Sequence, residues 1–276
     1  MNIEKYRHPV VFYVLSTVIP WSFWFLAAYL SHMASITPFI KLSITVLLIV
    51  GLCAPAAIAF LMIGANPSLR SDLKTRFFNL KQIRPGYLFL TCFLMLASIL
   101  LAQAISLFFG YSTEQFSFAK EASFSGGVMP GWFWLFFAPV VEELAWHTYG
   151  TDCLRQRMNL LYTSLLFALY WAFWHYPAFL IKGYYQSNME QIGLIYSMNF
   201  MFSIIPFVIL MNWLYYKTSR SILIPIVFHI TAGFFNELFN TNPNTKIIQT
   251  ALLTILAVFL VLREKNFFLQ RAYSEE

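Results

Sequence analysis

The chain has 276 residues, of which 59% are apolar and only 11% charged, with eighteen Lys and Arg against twelve Asp and Glu. Soluble domains carry about 25% charge. Too little is present here to cover a water-facing surface, which argues against a soluble enzyme and against a disordered chain. The net charge of +6 does not make a nucleic-acid partner either, because the basic residues cluster at segment ends rather than on one face.

What remains is an all-α polytopic membrane bundle, read as a single domain over 1–276. Asp, Glu, Lys and Arg are missing from 8–40, 42–69, 85–113, 122–141, 158–181, 191–216, 221–236 and 247–262. A crossing helix needs about 20 apolar residues, so eight spans are expected. The first, 10–30, is longer than a secretory signal and contains Pro20, so it reads as an uncleaved helix. The second is 43–64. Between Pro67 and Gly86, Leu69, Leu73, Phe77 and Leu80 recur at helical spacing, with Arg70, Lys74, Arg76, Lys81 and Arg84 mostly between them. That pattern predicts a basic amphipathic helix on the cytoplasmic leaflet, a lipid bilayer contact. The remaining spans are expected at 87–109, 131–153, 160–181, 192–215, 221–240 and 247–262. Cys53, Cys92 and Cys153 have no metal-site spacing and are assigned packing roles.

With eight spans, the side of the termini collects fourteen Lys and Arg and the other side only Lys41, Lys120, Lys182 and Lys246. The positive-inside rule then puts both termini in the cytoplasm. Short loops and no organelle signal point to a bacterial cytoplasmic membrane.

Ionisable groups at membrane depth are functional candidates by default. Glu142 and Glu143 lie midway along the fourth span, His175 in the fifth and His229 in the seventh, with Asn236 and Glu237 towards its end. Adjacent helical residues point about 100° apart. Glu143 is therefore expected to pair with His147 at i, i+4, leaving Glu142 to meet His175 and His229. One carboxylate and two imidazoles can hold and activate water, directly or through a metal. Pro139, Pro177 and Pro225, each near one of these residues, suggest three kinked helices around a hydrated cavity. From the residues alone, catalysis, a transport or proton pathway, and a polar packing cluster all stay open. The inverted repeats of a transporter are not seen.

The motifs resemble those of the CAAX-protease and bacteriocin-processing intramembrane proteases. That family is marked by Glu-Glu-x-x-x-Arg, an aromatic residue four before a His, and His-x-x-x-Asn. Here stand Glu142-Glu143-Leu-Ala-Trp-His147, then Trp171-Ala-Phe-Trp-His175, then Phe228-His229-Ile-Thr-Ala-Gly233, within 131–240. The resemblance implies an intramembrane endopeptidase acting on a membrane protein or peptide. By position Glu142 corresponds to the general base, His175 and His229 to groups that position water or bind a metal, and Glu143 to a supporting carboxylate. If a metal is used, His175, His229 and Glu142 are its candidate ligands and Zn²⁺ the candidate ion, although no HExxH is present. Two positions depart from the pattern: His147 replaces an arginine, and Gly233 replaces an asparagine whose amide would stabilise an oxyanion. Asn236, seven residues beyond His229 and on the same stripe, is the expected substitute. If it does not substitute, the chain is a weak or inactive relative that acts as a membrane regulator or immunity factor by binding a partner. The motifs do not choose between a prenylated and a plain substrate.

Overall fold

The computed structural model describes residues 3, 5–78 and 83–271. Leu80 and Lys81 of the expected amphipathic helix lie outside them. Helix α1 (Pro9–Ser31) and helix α2 (Pro38–Gly64) form an antiparallel pair. Both begin on proline, whose missing N–H is not needed in a first turn, and the Thr37 hydroxyl accepts the amide of Ile40 to cap α2. Helix α3 (Pro67–Phe78) is short and polar, and the expected apolar face is not distinct, because Asp72 and Arg76 share the inward side with Leu69 and Leu73. Helix α4 (Pro85–Leu107) returns through the bundle. A two-residue hairpin follows, with β1 (Ser125–Gly126) and β2 (Met129–Pro130). Gly127 in its turn has φ +64°, and a Cβ there would lie 2.0 Å from Thr45 Oγ1, so glycine alone fits against α2.

Helix α5 (Gly131–Ala145) continues through one π-helical turn, Trp146–Gly150, into α6 (Thr151–Arg155). Helix α7 (Leu160–Trp174), capped by Asn159, stops at His175. A 3₁₀ turn, Tyr176–Leu180, leads to α8 (Tyr185–Ile192), and the two parts of this segment are bent by 80°. Helix α9 (Leu194–Lys217) and α10 (Leu223–Leu238) flank a left-handed turn at Ser219 and Arg220, with φ 54° and 63°. Helices α11 (Pro243–Arg263) and α12 (Lys265–Leu269) complete the chain.

Helices α1, α2, α4, α9 and α11 are long and apolar enough to cross a membrane, and the bent α7–α8 segment makes a sixth if counted as one span. Their outer faces carry large apolar side chains open to the surroundings, such as Phe39 at 76% and Leu61 at 74% exposure. That is tolerable only against lipid, and the chain is an integral membrane protein. The expected count of eight full spans is not reproduced by length and hydropathy. The other three expected spans, 131–153, 160–181 and 221–240, are the interrupted α5–α6 segment, the bent α7 segment and the 16-residue α10. They also carry the polar residues. Irregular backbone at membrane depth survives where protein or a cavity satisfies it.

The proline expectation is corrected on two counts. Pro139 lies inside α5, but Pro177 comes after α7 has ended, and Pro225 sits in the first turn of α10 where it costs no helix bond. Packing places α5 between α2 and α10, with α9 touching α7, α10 and α11. Buried aromatics join these layers. Trp146 makes ring contacts with Phe12, Phe167, Tyr170 and Trp174, each kind of contact worth about 0.5–1.5 kcal/mol.

Candidate active site

The site is assembled from α5, α7, α9 and α10. On α5, Glu142 and Glu143 point in different directions, as helical geometry requires. Glu142 accepts the indole N–H of Trp171 at 2.8 Å and lines a cavity of about 470 Å³. Glu143 is fully buried behind that wall. Its Oε1 takes His229 Nδ1 at 2.8 Å and its Oε2 takes His147 Nδ1. The expected pair Glu143–His147 therefore forms. The carboxylate bonded to His229, however, is Glu143 rather than Glu142. The reason is rotational: His229 approaches from α10 on the Glu143 side of α5.

His175 stands where α7 ends, and its Nδ1 lies 2.7 Å from the carbonyl of Trp171. A carbonyl only accepts, so Nδ1 carries the proton and Nε2 is left with its lone pair. His229 is fixed in the same sense, since the Glu143 carboxylate faces its Nδ1. Trp171 packs against both rings, with centroids 5.6 Å from His175 and 5.1 Å from His229. Glu142, His175, His229, Gly233 and Asn236 all border the one cavity. Its wall includes Leu48, Leu52, Met95, Ile204, Phe207 and Leu253, and runs on to Ser123, Tyr185 and Asn188 at the end of the bundle away from the termini.

The family is decided by the sequence relatives. A model of Type II CAAX prenyl endopeptidase Rce1-like proteins matches residues 124–235. CAAX prenyl protease 2 of Methanococcus maripaludis is 34% identical over 272 residues, 98% of this chain and 99% of the relative. The chain belongs to the Rce1-like family. It is accordingly an intramembrane protease of the CAAX prenyl endopeptidase type, a hydrolase.

Within this Rce1-like chain the two departures acquire a setting. His147, fully buried, sits in the π turn between Glu143 and Asn212 of α9, whose Oδ1 is 3.0 Å from Nε2. At Gly233 a Cβ would lie 3.0 Å from the Cδ2 tip of Leu135. The neighbour is the end of a flexible side chain, not backbone, so no close backbone approach depends on Gly233. Among the described residues the Asn236 side chain has no hydrogen-bond partner, which leaves its amide open to a ligand in the cavity.

Among the described residues no three His, Cys, Asp or Glu side chains are grouped as ligands. Glu142, His175 and His229, as placed, do not fit a three-ligand ion.

Below the site, the π turn frees carbonyls that a regular helix would use. The carbonyls of His147 and Thr148 instead accept Arg76 of α3, each at 2.9 Å, and Tyr215 donates to His147 O at 2.8 Å. Arg76 also reaches Asp152 at 3.2 Å and Asp72 at 2.8 Å, and Arg220 bridges the same two aspartates. Burial alone would raise the pKa of Asp72, but the Arg76 and Arg220 guanidiniums outweigh it and hold the carboxyl below the usual carboxylate range. The sequence pattern predicts Arg76 on a lipid-facing helix; instead it is 3% exposed and braces the π turn. Arg70 and Lys74 do face outward. Sequence reasoning also missed Trp171 as a donor and Asn212 altogether. Trp171 carried a usable signal, since it sits one turn before His175. Asn212 carried none beyond being an amide within an apolar helix.

Proposed function

We propose that this protein cleaves the carboxy-terminal segment of a prenylated, CAAX-type protein, with Glu142 as general base. The observation that carries the reading is the convergence of Glu142, His175 and His229 on one cavity that is otherwise mostly apolar. Such a cavity suits a lipidated peptide, with apolar walls for the chain and a few polar groups at the reacting bond.

In this mechanism a water donates one O–H to the Glu142 carboxylate and shares its other O–H between the bare Nε2 atoms of His175 and His229. Its oxygen attacks the scissile carbonyl carbon as Glu142 takes the proton. The tetrahedral oxyanion is met by the Asn236 amide, in a role worth about 3–4 kcal/mol in other hydrolases. Glu142 then returns the proton to the leaving nitrogen and the C–N bond breaks. Glu143 and Trp171 act as positioning residues, the first through His229 and the second through Glu142 and His175. The fourteen-to-four split of cationic residues supports placing both termini in the cytoplasm.

The test is mass spectrometry of products after incubating purified protein in lipid nanodiscs with a farnesylated CAAX peptide and with its unprenylated twin. Release of the terminal peptide from the farnesylated form, at least tenfold faster than from the twin, is expected. Equal cleavage of both would remove the prenyl part of the proposal, and cleavage of neither would remove the proteolytic part for this substrate class.

A further inference from the structure

His147, Asn212, Ser164 and Glu143 form a chain of hydrogen bonds with every side chain fully buried. Proton counting along it leaves little freedom. Ser164 Oγ lies 2.9 Å from the carbonyl oxygen of Leu160, one turn earlier on α7. Two oxygens at that distance need a proton between them, and only the serine has one to give. Ser164 must then accept at its other contact, 2.9 Å from the Asn212 amide. So the nitrogen of Asn212 faces Ser164 and its oxygen faces His147. An amide oxygen accepts, so His147 Nε2 carries a proton. On the opposite side of the ring, Nδ1 meets Oε2 of Glu143, whose other oxygen already accepts from His229. A carboxylate accepts at both oxygens, and of the two groups the imidazole is the stronger base.

We infer that Asn212 and Ser164 hold His147 as an imidazolium, protonated at both nitrogens, whose fixed positive charge balances Glu143. This rests on the proteolytic reading above for its consequence, but not for its existence. The consequence is electrostatic. With Glu143 balanced by His147, His229 remains a neutral Nδ1–H tautomer with its Nε2 lone pair turned to the cavity. Without that balance, the buried Glu143 charge would draw a second proton onto His229 and block the atom that steadies water. The other groups around His147 are Tyr215, with ring centroids 4.7 Å apart, Phe167 at 6.4 Å, and Arg76, which bonds the His147 carbonyl rather than its ring. None of these offers Nε2 an alternative acceptor. Asn212 and Ser164 are thus positioning residues, acting through His147 and Glu143 on His229.

The experiment is ¹⁵N NMR of the histidine-labelled full chain in nanodiscs at pH 7.5, with His147 assigned by elimination using variants of the other four histidines. Both His147 nitrogens should give protonated shifts in the wild type. A bare nitrogen would overturn the inference whether or not any substrate is cleaved. Kinetics supply the second arm on any substrate the protein cuts. Asn212→Leu should lower kcat at least tenfold with KM within twofold. Relative to the single variant His147→Arg, whose charge needs no acceptor, adding Asn212→Leu should change kcat less than twofold. A loss of equal size in both backgrounds would mean that Asn212 serves packing alone and would overturn the inference.

Discussion

Trp171 links the two histidines to the carboxylate they face. Its indole N–H bonds Glu142, its carbonyl fixes the tautomer of His175, and its ring packs against His229. Its neighbours across the cavity are Gly233 and Asn236, where the chain departs from its family's motif. If Asn236 meets the developing oxyanion, Asn236→Ala should reduce kcat by about 10²-fold with KM little changed, because that charge exists only in the transition state. Gly233→Asn has room if the Leu135 tip shifts, and should restore part of the loss in the Asn236→Ala background. Unchanged turnover in Asn236→Ala would remove that residue from the site. Glu142, Glu143, His175 and His229 were legible in the sequence, because ionisable groups in apolar runs stand out. Their pairing was not. Whether His229 meets Glu142 or Glu143 depends on how α5 and α10 are rotated against each other, which no residue spacing encodes.

At the scale of elements, the π turn and α3 work as one unit. The turn offers loose carbonyls, and α3 inserts Arg76 to accept the task of bonding them. Asp72, Asp152 and Arg220 then balance the charge, and Arg220 keeps its left-handed φ of 63° through these ion pairs. Removing one member of such a buried network costs about 3–5 kcal/mol. The pH behaviour follows from Asp72, whose pKa is lowered in the folded state. A depressed carboxyl contributes stability that is complete above the ordinary Asp value of about 3.9 and is lost as pH falls through the folded value. Thermal unfolding in detergent should therefore show a steeper drop as pH falls below about 4 for the wild type than for Asp72→Asn, with the variant less stable near neutrality. Parallel curves would show that Asp72 is not coupled to the fold. A helix at α3 was readable from the spacing of its leucines and cations. That one of those cations turns inward was not, since burial of Arg76 requires acceptors from the π turn and α6 that lie some seventy residues away in the chain.

For the whole molecule, the all-α membrane class was readable from charge-free runs alone. The number of spans was not, because the runs at 131–153, 160–181 and 221–240 are broken or short where they build the cavity. The proposed orientation rests on the charge asymmetry. In a chain whose cysteines are replaced by alanine, Asn188→Cys should react with an impermeant thiol reagent in intact cells. Lys265→Cys should react only after permeabilisation. The reverse result would put the rim of the cavity in the cytoplasm and overturn the orientation. The central claim is that Glu142 activates the attacking water. It is tested most directly by the single-turnover rate of purified Glu142→Gln on a farnesylated CAAX peptide, beside a wild type of equal thermal stability. Loss of a general base costs about 10²–10⁴-fold, and a fall of that size with unchanged peptide binding is expected. Cleavage by Glu142→Gln at the wild-type rate would contradict the account.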